Sequence, residues 1–274
     1  MIDRDLIKRA LVEDLQGGED ITSVATVSGS EKVVADFVSR KTGVVAGMDM
    51  ARTVLEEVGL TDIAVLVQDG TSVKAGDVLM TVRGDTRAIL LAERTALNFL
   101  GHLSGIATLT RTWVDAVAGT KCEIRDTRKT TPGMRLLEKY AVRMGGGTNH
   151  RMSLSDAALI KDNHIAAAGG VAEAFSKVRA KFPTSEIEIE VDTLDQLREV
   201  LPLKPDLILL DNMSPAQCAE AVSIVAGATK LEASGGISLE NAKAYAATGV
   251  NFLAIGALTH SAPVFDIGLD LRAE

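Results

Sequence analysis

The 274-residue sequence predicts an α/β protein with two regions of different architecture. From Cys122 onward, short β-rich runs alternate with helical patterns, which indicates right-handed βαβ units and a parallel sheet. Six such units can be recognised, and this number favours a closed or nearly closed (β/α) barrel. An open doubly wound sheet is the alternative, because the number of units alone does not separate the two folds. Before Cys122 the strands, turns and helices follow no such alternation.

The N-terminal region mixes helices with strands and turns. Helices are predicted at 3–15, 48–58 and 86–117, and the last is expected to be interrupted near Gly101–Gly105. Between them, most of 17–47 and 63–85 is predicted to form strands and turns.

The second region supplies the repeating units. Its predicted strands are Cys122–Arg125, Ala157–Lys161, Glu186–Val191, Leu207–Leu210, Lys230–Ala233 and Phe252–Ile255. Its clearest predicted helices are Val171–Lys181, Leu194–Leu201, Pro215–Ala226 and Leu239–Thr248. No Gly-x-Gly-x-x-Gly sequence follows an early strand, which weakens a dinucleotide-binding version of the open sheet.

Composition excludes several classes of protein. The net charge is −8 and aromatic residues make up only 3% of the chain, which argues against nucleic-acid binding. The two cysteines, Cys122 and Cys218, lie far apart and predict neither a disulfide framework nor a zinc site. The first fifteen residues form a charged amphipathic pattern instead of a signal peptide, and no apolar run approaches a membrane-spanning length. We therefore expect a cytoplasmic protein that does not bind membranes.

Positive charge is concentrated between Lys121 and Arg151. This stretch holds eight Lys and Arg against three Asp and Glu, a local charge of +5 in a chain of −8. Part of it has helical spacing, and we expect those charges to form an ordinary solvated helix face, at Arg135, Glu138, Lys139 and Arg143. The remainder lies beside Gly and Thr outside that pattern and is the better candidate for binding an anion.

The carboxyl ends of barrel strands are where active sites lie, and here each predicted strand leads into charged or glycine-rich residues. These residues fall into three groups. A cationic group comprises Arg128, Lys129, His150, Arg151 and Lys161. Two carboxylates, Glu190 and Asp211, follow different strands and suit Mg²⁺, directly or through its waters. Backbone N–H groups of the last two turns could bind phosphate, at Ser234, Gly235, Gly236, Gly256 and Ala257.

Two other functions fit part of this pattern. A lysine at a strand end can form a Schiff base, so Lys161 also fits a lyase or aldolase. A non-catalytic anion-binding module would use the cations alone and would not need Glu190 or Asp211. Among the histidines, His150 and His260 are expected nearest the ligand, His102 to be packed or hydrogen-bonded in a helix, and His164 to order the turn after Lys161.

The stretch RDTRKTTPGMRLLEKYAVRMGGGTNHRMSLSDAALIKDNHI resembles the core of the quinolinate phosphoribosyltransferases. The resemblance extends to AERTALNFLGHLSGIAT before this core and to EIEVDTLDQL, LILLDNMSP, LEASGGISLENAKAYAATGV and AIGALTHSAPVFDIGLD after it. A related group linked to molybdenum transport shares a TRKT-type core but generally departs from the N-H-R and K-D-N-H forms found here.

This resemblance implies an N-terminal α/β sandwich domain, at 1–105, followed by an open (β/α) barrel of about seven strands, at 106–264. Residues 265–274 would pack back on the first domain. It also implies a homodimer, or a trimer of such dimers, in which one subunit completes the active site of the other.

The resemblance assigns roles to individual residues. The two carboxylates of quinolinate would meet Arg128, His150, Arg151 and Lys161, with Arg94 reaching in from the partner subunit. Phosphoribosyl pyrophosphate would meet Lys129, Ser234, Gly235, Gly236, Gly256, Ala257 and His260. Mg²⁺ would be held by Glu190 and Asp211, and the catalytic residues would be Lys129, Glu190 and Asp211.

The implied reaction is Mg²⁺-dependent transfer of phosphoribose to quinolinate with loss of CO₂. It yields nicotinate mononucleotide and pyrophosphate, a step of NAD biosynthesis. Attack by the pyridine nitrogen creates a quaternary pyridinium, and its positive charge stabilises the carbanion that remains after the adjacent carboxylate leaves. The substrate is therefore its own electron sink, so this chemistry needs neither pyridoxal phosphate nor a Schiff base.

Overall fold

A computed structural model describes residues 2–272 and divides the chain into two compact units. The first unit comprises Met1–Arg111, Leu136–Gly146 and Ser261–Glu274, and the second comprises Thr112–Arg135 and Gly147–His260. Within the described residues, no helix is both long enough and apolar enough to cross a membrane.

The described chain contains eleven α-helices and twelve strands. The helices are α1 (Arg4–Leu15), α2 (Ile21–Thr26), α3 (Met48–Glu57), α4 (Thr86–Ala116), α5 (Arg135–Met144), α6 (Asp162–Ala168), α7 (Val171–Lys181), α8 (Leu194–Val200), α9 (Pro215–Val225), α10 (Leu239–Ala246) and α11 (Ala257–His260). The strands are β1 (Lys32–Ser39), β2 (Gly43–Val44), β3 (Asp62–Val65), β4 (Ser72–Val73), β5 (Val78–Asp85), β6 (Glu123–Arg125), β7 (Ala158–Ile160), β8 (Ile187–Val191), β9 (Leu207–Asp211), β10 (Lys230–Ser234), β11 (Phe252–Ala254) and β12 (Ile267–Arg272).

The first unit is built on an antiparallel sheet in the order β12-β1-β5-β3. The last strand returns from the end of the chain and pairs with β1 from Val34↔Arg272 to Ser39↔Ile267. Its core is apolar, with Phe37, Leu79 and Val82 fully buried on β1 and β5. A small additional sheet pairs β2 with β4.

Helix α4 is continuous from Thr86 to Ala116, so the interruption predicted near Gly101–Gly105 was wrong. The glycines have a packing role instead. A Cβ at Gly105 would lie 2.1 Å from the carbonyl oxygen of Pro263, and the carbonyl of Gly101 accepts a hydrogen bond from the Phe265 N–H at 2.9 Å. Glycine is therefore required here because another backbone passes against the helix, and this cannot be seen in the local sequence.

Helix α5 forms as predicted, but its charges do not all face water. Glu138 and Lys139 are both 0% exposed, which corrects the expectation of a solvated face. Glu138 Oε1 lies 2.9 Å from Nε2 of His102, so His102 is hydrogen-bonded in its helix as expected. The Tyr140 hydroxyl donates to Asp69 Oδ2 at 2.7 Å, and a Cβ on Gly145 would meet the Ala107 carbonyl.

These contacts explain how the compact units differ from the domain limits drawn on the sequence. Residues 106–111, 136–146 and 261–264 belong to the first unit, whereas the sequence boundaries place them with the barrel. The difference arises because α4 continues past residue 105, and both α5 and the backbone at Pro263 pack against it.

The second unit contains a parallel sheet in the order β6-β11-β10-β9-β8-β7 with α-helices between its strands, which confirms the α/β fold class. Six strands are present, and Thr148 adds a single parallel bridge to Arg125 beside the edge strand β6. The strands begin and end within two residues of the predicted positions. Helix α6, which the sequence interpretation lacked, begins at Asp162, and the His164 Nδ1 accepts from the Lys161 N–H at 3.0 Å.

Candidate active site

A cavity of about 700 Å³ opens at the carboxyl ends of the parallel strands and is lined entirely by the second unit. All the predicted site residues except Arg94 line it: Arg128, Lys129, His150, Arg151, Lys161, Glu190, Asp211, Ser234, Gly235, Gly236, Gly256, Ala257 and His260. Arg94 is exposed on α4 in the first unit. Parallel strands bring their carboxyl ends to one edge of the sheet, so residues as distant in the chain as Arg128 and His260 meet there.

The register of the strands places the two candidate metal ligands. Glu190 is opposite Leu209 on β9, and Asp211, two residues further along the same strand, is opposite Ser234 on β10. Because side chains two residues apart share a face of a strand, Leu209 and Asp211 follow each other toward the cavity. Glu190 and Asp211 therefore lie on neighbouring strands of the same wall.

Two guanidinium groups, those of Arg128 and Arg151, line the same cavity. Burial lowers the pKa of Arg151, and the positive charge of Arg128 lowers that pKa further. The Arg128 Nε is buried and has no hydrogen-bond partner among residues 2–272. Arg151 Nη1 donates to the Ala157 carbonyl at 2.8 Å, which orients its side chain. Two like charges lining one cavity, one of them partly desolvated, favour an anion bound between them.

The cavity is also lined by two carboxylates, Glu190 and Asp211. Lys161 Nζ donates to Glu190 Oε2 at 2.6 Å. The pKa of Asp211 is raised by burial and then by the negative charges of Glu190 and Asp192. Such mutual repulsion between carboxylates is relieved by a cation, and carboxylate oxygens are the ligands that Mg²⁺ prefers. The residues present therefore fit a magnesium ion.

The turn after β10 is held in one conformation by Asn212. Gly235 has φ +86°, in the left-handed region, and a Cβ there would lie 2.1 Å from Asn212 Oδ1. The Asn212 N–H donates to the Ser234 carbonyl at 2.9 Å, and its Nδ2 donates to Asp211 Oδ2 at 2.6 Å. One asparagine thus fixes both the glycine turn and the Asp211 carboxylate.

Lys129 is held at the cavity by the last strand–helix turn. The buried Thr259 hydroxyl donates to the Lys129 carbonyl at 2.8 Å. A Cβ at Gly256 would lie 3.1 Å from Lys129 Cδ and 3.3 Å from His260 Nε2, so a larger residue would press on both side chains. His260 itself is exposed at the end of α11.

Three buried acidic residues at the base of the site were missed at the level of sequence: Asp126 and Glu188, and Glu232, which lines the cavity itself. Asp126 Oδ1 accepts from the His150 N–H at 2.9 Å, and its Oδ2 accepts from Asn149 Nδ2 at 2.5 Å. The available signal was strand alternation, since Glu188 shares a face with Glu190, and Glu232 shares a face with Ser234. Charged residues one layer below a strand end were therefore recognisable candidates.

Two of the buried carboxyls contact nitrogen-bearing side chains, His150 and Arg125. Glu188 Oε2 lies 2.6 Å from His150 Nε2, and Glu232 Oε2 accepts from Arg125 Nη1 at 2.9 Å. Burial is the main cause that raises the pKa of both carboxyls, and the charge of Glu188 raises that of Glu232 further. Each retains one oxygen, Oε1, without a hydrogen-bond partner in the described residues.

Family models match nearly the whole chain. The N-terminal domain of quinolinate phosphoribosyl transferase matches residues 20–104, and the C-terminal domain of the same family matches residues 106–270.

Individual relatives agree with the family match. The nicotinate-nucleotide pyrophosphorylase (carboxylating) of Mycobacterium leprae (strain TN) is 55% identical over 274 residues, covering 98% of this chain and 96% of that protein. The crystal structure of nicotinate-nucleotide pyrophosphorylase from Ehrlichia chaffeensis superposes with a TM-score of 0.94 at 40% identity, covering 98% of each chain. The corresponding structure from Francisella tularensis gives a TM-score of 0.94 at 39% identity, covering 98% of this chain and 95% of that one. With both domains matched in order and with this cavity at the strand ends, the chain belongs to the quinolinate phosphoribosyl transferase family.

Proposed function

We propose that this chain transfers phosphoribose from phosphoribosyl pyrophosphate to quinolinate in a Mg²⁺-dependent, decarboxylating reaction of NAD biosynthesis. The products are nicotinate mononucleotide, pyrophosphate and CO₂. The observation that carries the choice of acceptor is the pair Arg128 and Arg151, two cations that line one cavity, with Arg151 partly desolvated and the Nε of Arg128 buried. Quinolinate carries two adjacent carboxylates, so it meets this pair better than a singly charged pyridine does.

Positioning is the main task of the site. Both substrates are anionic, and the cations of the cavity hold them together against their mutual repulsion. Arg128, Arg151 and Lys161 are assigned to the dicarboxylate. Lys129 lies beside the Gly256 turn and is assigned to the phosphates, where its charge stabilises the negative charge that develops on the leaving pyrophosphate. Ser234, Gly235, Gly236 and Ala257 supply backbone groups for the same ligand, with His260 at the rim.

Glu190 and Asp211 are assigned to Mg²⁺. When bound, the ion neutralises charge on the pyrophosphate group and favours its departure. Glu190 is paired with Lys161 in this structure, so its carboxylate already links the dicarboxylate side of the cavity to the metal side. Asn212 holds the Asp211 carboxylate in a fixed orientation.

We further propose that the enzyme is a cytoplasmic homodimer, or a trimer of dimers, and that Arg94 completes the quinolinate site of the partner subunit. Support comes from the exposure of Arg94 on α4 and from its absence from the cavity of its own chain. A mixture of R94A and R151A subunits tests this directly, because each hybrid dimer regains one intact site. Recovery of activity on mixing is expected, and no recovery would contradict a shared site.

Turnover is the primary test. Purified protein incubated with quinolinate, phosphoribosyl pyrophosphate and Mg²⁺ should release nicotinate mononucleotide and CO₂ in equal amounts. Turnover with nicotinate but not quinolinate would assign the chain to a sister activity instead. Removing the metal with a chelator should abolish turnover, and adding Mg²⁺ should restore it.

The lyase alternative is disfavoured by the position of Lys161. Its Nζ is ion-paired with Glu190 at 2.6 Å, and an ammonium in such a pair has no free electron pair with which to attack a carbonyl. Borohydride treatment in the presence of a carbonyl substrate should leave Lys161 unmodified. An adduct on Lys161 would favour the Schiff-base mechanism.

A further inference from the structure

Both ring nitrogens of His150 are engaged by the protein. The side chain is 8% exposed, although it lines the cavity. Its Nε2 lies 2.6 Å from Glu188 Oε2, and its Nδ1 accepts a hydrogen bond from the backbone N–H of Arg151 at 2.8 Å. The ring therefore spans the distance between a buried carboxyl and the backbone of a cavity arginine.

These two contacts determine the tautomer. A backbone N–H can only donate, so Nδ1 must carry a lone pair and no proton. The remaining proton of a neutral imidazole is then on Nε2, where it points at Glu188. A doubly protonated imidazolium would place two N–H donors against each other at Nδ1.

The buried residues His150, Glu188 and Glu232 could either hold a metal ion or form a hydrogen-bonded cluster, and the tautomer of His150 favours the second. One ligand atom from each lies within 4.8 Å of the others, a spacing that could hold a metal ion. Coordination through Nε2 would need the lone pair that the Nε2 proton occupies. Arg125 Nη1 is also 2.9 Å from Glu232 Oε2 and places a positive charge beside the same cluster. The cluster is therefore better suited to hydrogen bonding than to a cation.

The hydrogen bonds of Asp126 and of the His150 ring hold the segment Asn149–Arg151 in place. Its start is held by Asp126, which accepts from both the Asn149 side chain and the His150 N–H. Its end is held by the His150 ring, through the Arg151 N–H, and by the Arg151 guanidinium bonded to the Ala157 carbonyl. Removing the support of the ring would free the backbone of Arg151, whose guanidinium faces Arg128.

We propose that Glu188 is a positioning residue of the dicarboxylate site, which holds His150 as a neutral Nε2–H imidazole so that Nδ1 fixes the backbone of Arg151. His150 then acts through Arg151 and does not donate to a substrate carboxylate, unlike the role that the family resemblance implies for it. The inference rests on the proposed function only in naming quinolinate as the ligand.

The first test is spectroscopic and needs no substrate. In protein with ¹⁵N-labelled histidine at pH 7, His150 should show a protonated Nε2 and an unprotonated Nδ1, with the signals assigned by their loss in H150N. A protonated Nδ1, alone or together with Nε2, would overturn the inference. This result is independent of whether quinolinate is the substrate, which the turnover assay decides.

The second test separates positioning from folding. In E188L, which removes the acceptor, the KM for quinolinate should rise about tenfold while the KM for phosphoribosyl pyrophosphate stays within about twofold. E188Q keeps an acceptor oxygen for Nε2–H and should stay within about threefold of wild type. The matched control is E186L, which alters an exposed glutamate two residues earlier and should change neither KM.

Other outcomes contradict the proposal. Equal increases in both KM values for E188L, or equal damage in E188L and E188Q, would indicate a role without specific positioning. If E188L does not fold, the tautomer of His150 in the wild-type and E188Q proteins still decides the question, since both should show the same Nε2–H form.

Discussion

Buried charged residues occur in both units of this protein, but they are satisfied to different degrees. In the first unit Glu138 is fully buried on α5 and is hydrogen-bonded to His102, with further interactions around it. In the second unit Glu188 and Glu232 are also buried, yet each has one oxygen with no hydrogen-bond partner in the described residues, and burial raises the pKa of both. Structural ion pairs are normally completed, whereas incompletely satisfied carboxyls collect near sites that bind charge. The difference predicts stability effects in the first unit and ligand effects in the second.

The largest expected effect of breaking the cavity is that of Gly235→Ala. An alanine at φ +86° is strained, and its Cβ would collide with Asn212, which also holds Asp211. We expect kcat/KM for phosphoribosyl pyrophosphate to fall about a hundredfold, because small displacements of catalytic groups have effects of that size. Steady-state kinetics test this, with Gly227→Ala as control, since Gly227 also has positive φ but meets nothing within 4 Å. Equal loss in both variants would show that strain alone is responsible.

Removing a cavity cation should be nearly as damaging, but it should affect the binding of only one of the two substrates. For Arg151→Ala we expect the KM for quinolinate to rise by roughly 30-fold, with little change for phosphoribosyl pyrophosphate, because a charge-assisted contact to a carboxylate is lost. Arg198→Ala removes an exposed arginine on α8 that pairs with Asp195 and Glu220 and should leave both constants unchanged. Parallel losses for the two substrates in Arg151→Ala would contradict the division of roles.

Breaking the satisfied pair in the first unit should affect stability instead. Glu138→Ala leaves the His102 ring and the other neighbours of a fully buried carboxylate without their partner, so we expect a loss of roughly 3 kcal/mol in the free energy of unfolding. Urea denaturation measures it. Both KM values of the folded variant should match wild type. A change in KM without a loss of stability would show that Glu138 acts on ligand binding, which contradicts the predicted difference between the two units.

Glu232→Gln should change how the free energy of unfolding depends on pH. Burial raises the pKa of Glu232 from its ordinary value of 4.5 to about 7, so the native state binds more protons than the unfolded state between these values. Stability contributed by protonated Glu232 is present below pH 4.5 and is lost as pH rises through about 7. In Glu232→Gln this loss should shrink by roughly 2 kcal/mol, measured as the difference in unfolding free energy between pH 5 and pH 8. An unchanged pH dependence would show that Glu232 is ionised throughout.

The smallest expected effect is that of Tyr140→Phe on α5. Its hydroxyl donates to Asp69, and burial raises the pKa of Tyr140, so the hydroxyl stays protonated at neutral pH. Losing one hydrogen bond to a carboxylate should cost about 1 kcal/mol of stability. Thermal unfolding and kinetics together test this, and altered KM values would indicate that α5 acts on the site after all.

Residues on strand ends could be predicted because the rule that locates them is local. Arg128, Lys161, Glu190 and Asp211 each follow a recognisable apolar run, and parallel strands present such positions at one edge. Glu188 was missed because a glutamate in an alternating strand is normally taken as the solvent-facing residue. Only when both faces of the strand are covered does the same alternation place a carboxyl in the interior.

Some expectations failed because they depended on segments distant in the chain. The glycines of α4 looked like an interruption, although the backbone at Pro263 is what requires them. The charges of α5 looked solvated, although Glu138 and Lys139 are covered. In both cases the helix itself was predicted, but the distant segment that packs against it could not be seen in the local sequence.

The sequence by itself determined the α/β class, the repeating strands and helices of the second unit, and the residues at the strand ends, because these follow from hydrophobic periodicity and short motifs. Only the tertiary structure decided that Glu188, His150 and Arg151 form one chain of contacts, that Asn212 holds both Asp211 and the Gly235 turn, and which charges are buried. The physical reason is that periodicity records which face of an element is apolar, whereas hydrogen bonding, burial and pKa depend on what other segments bring to that face.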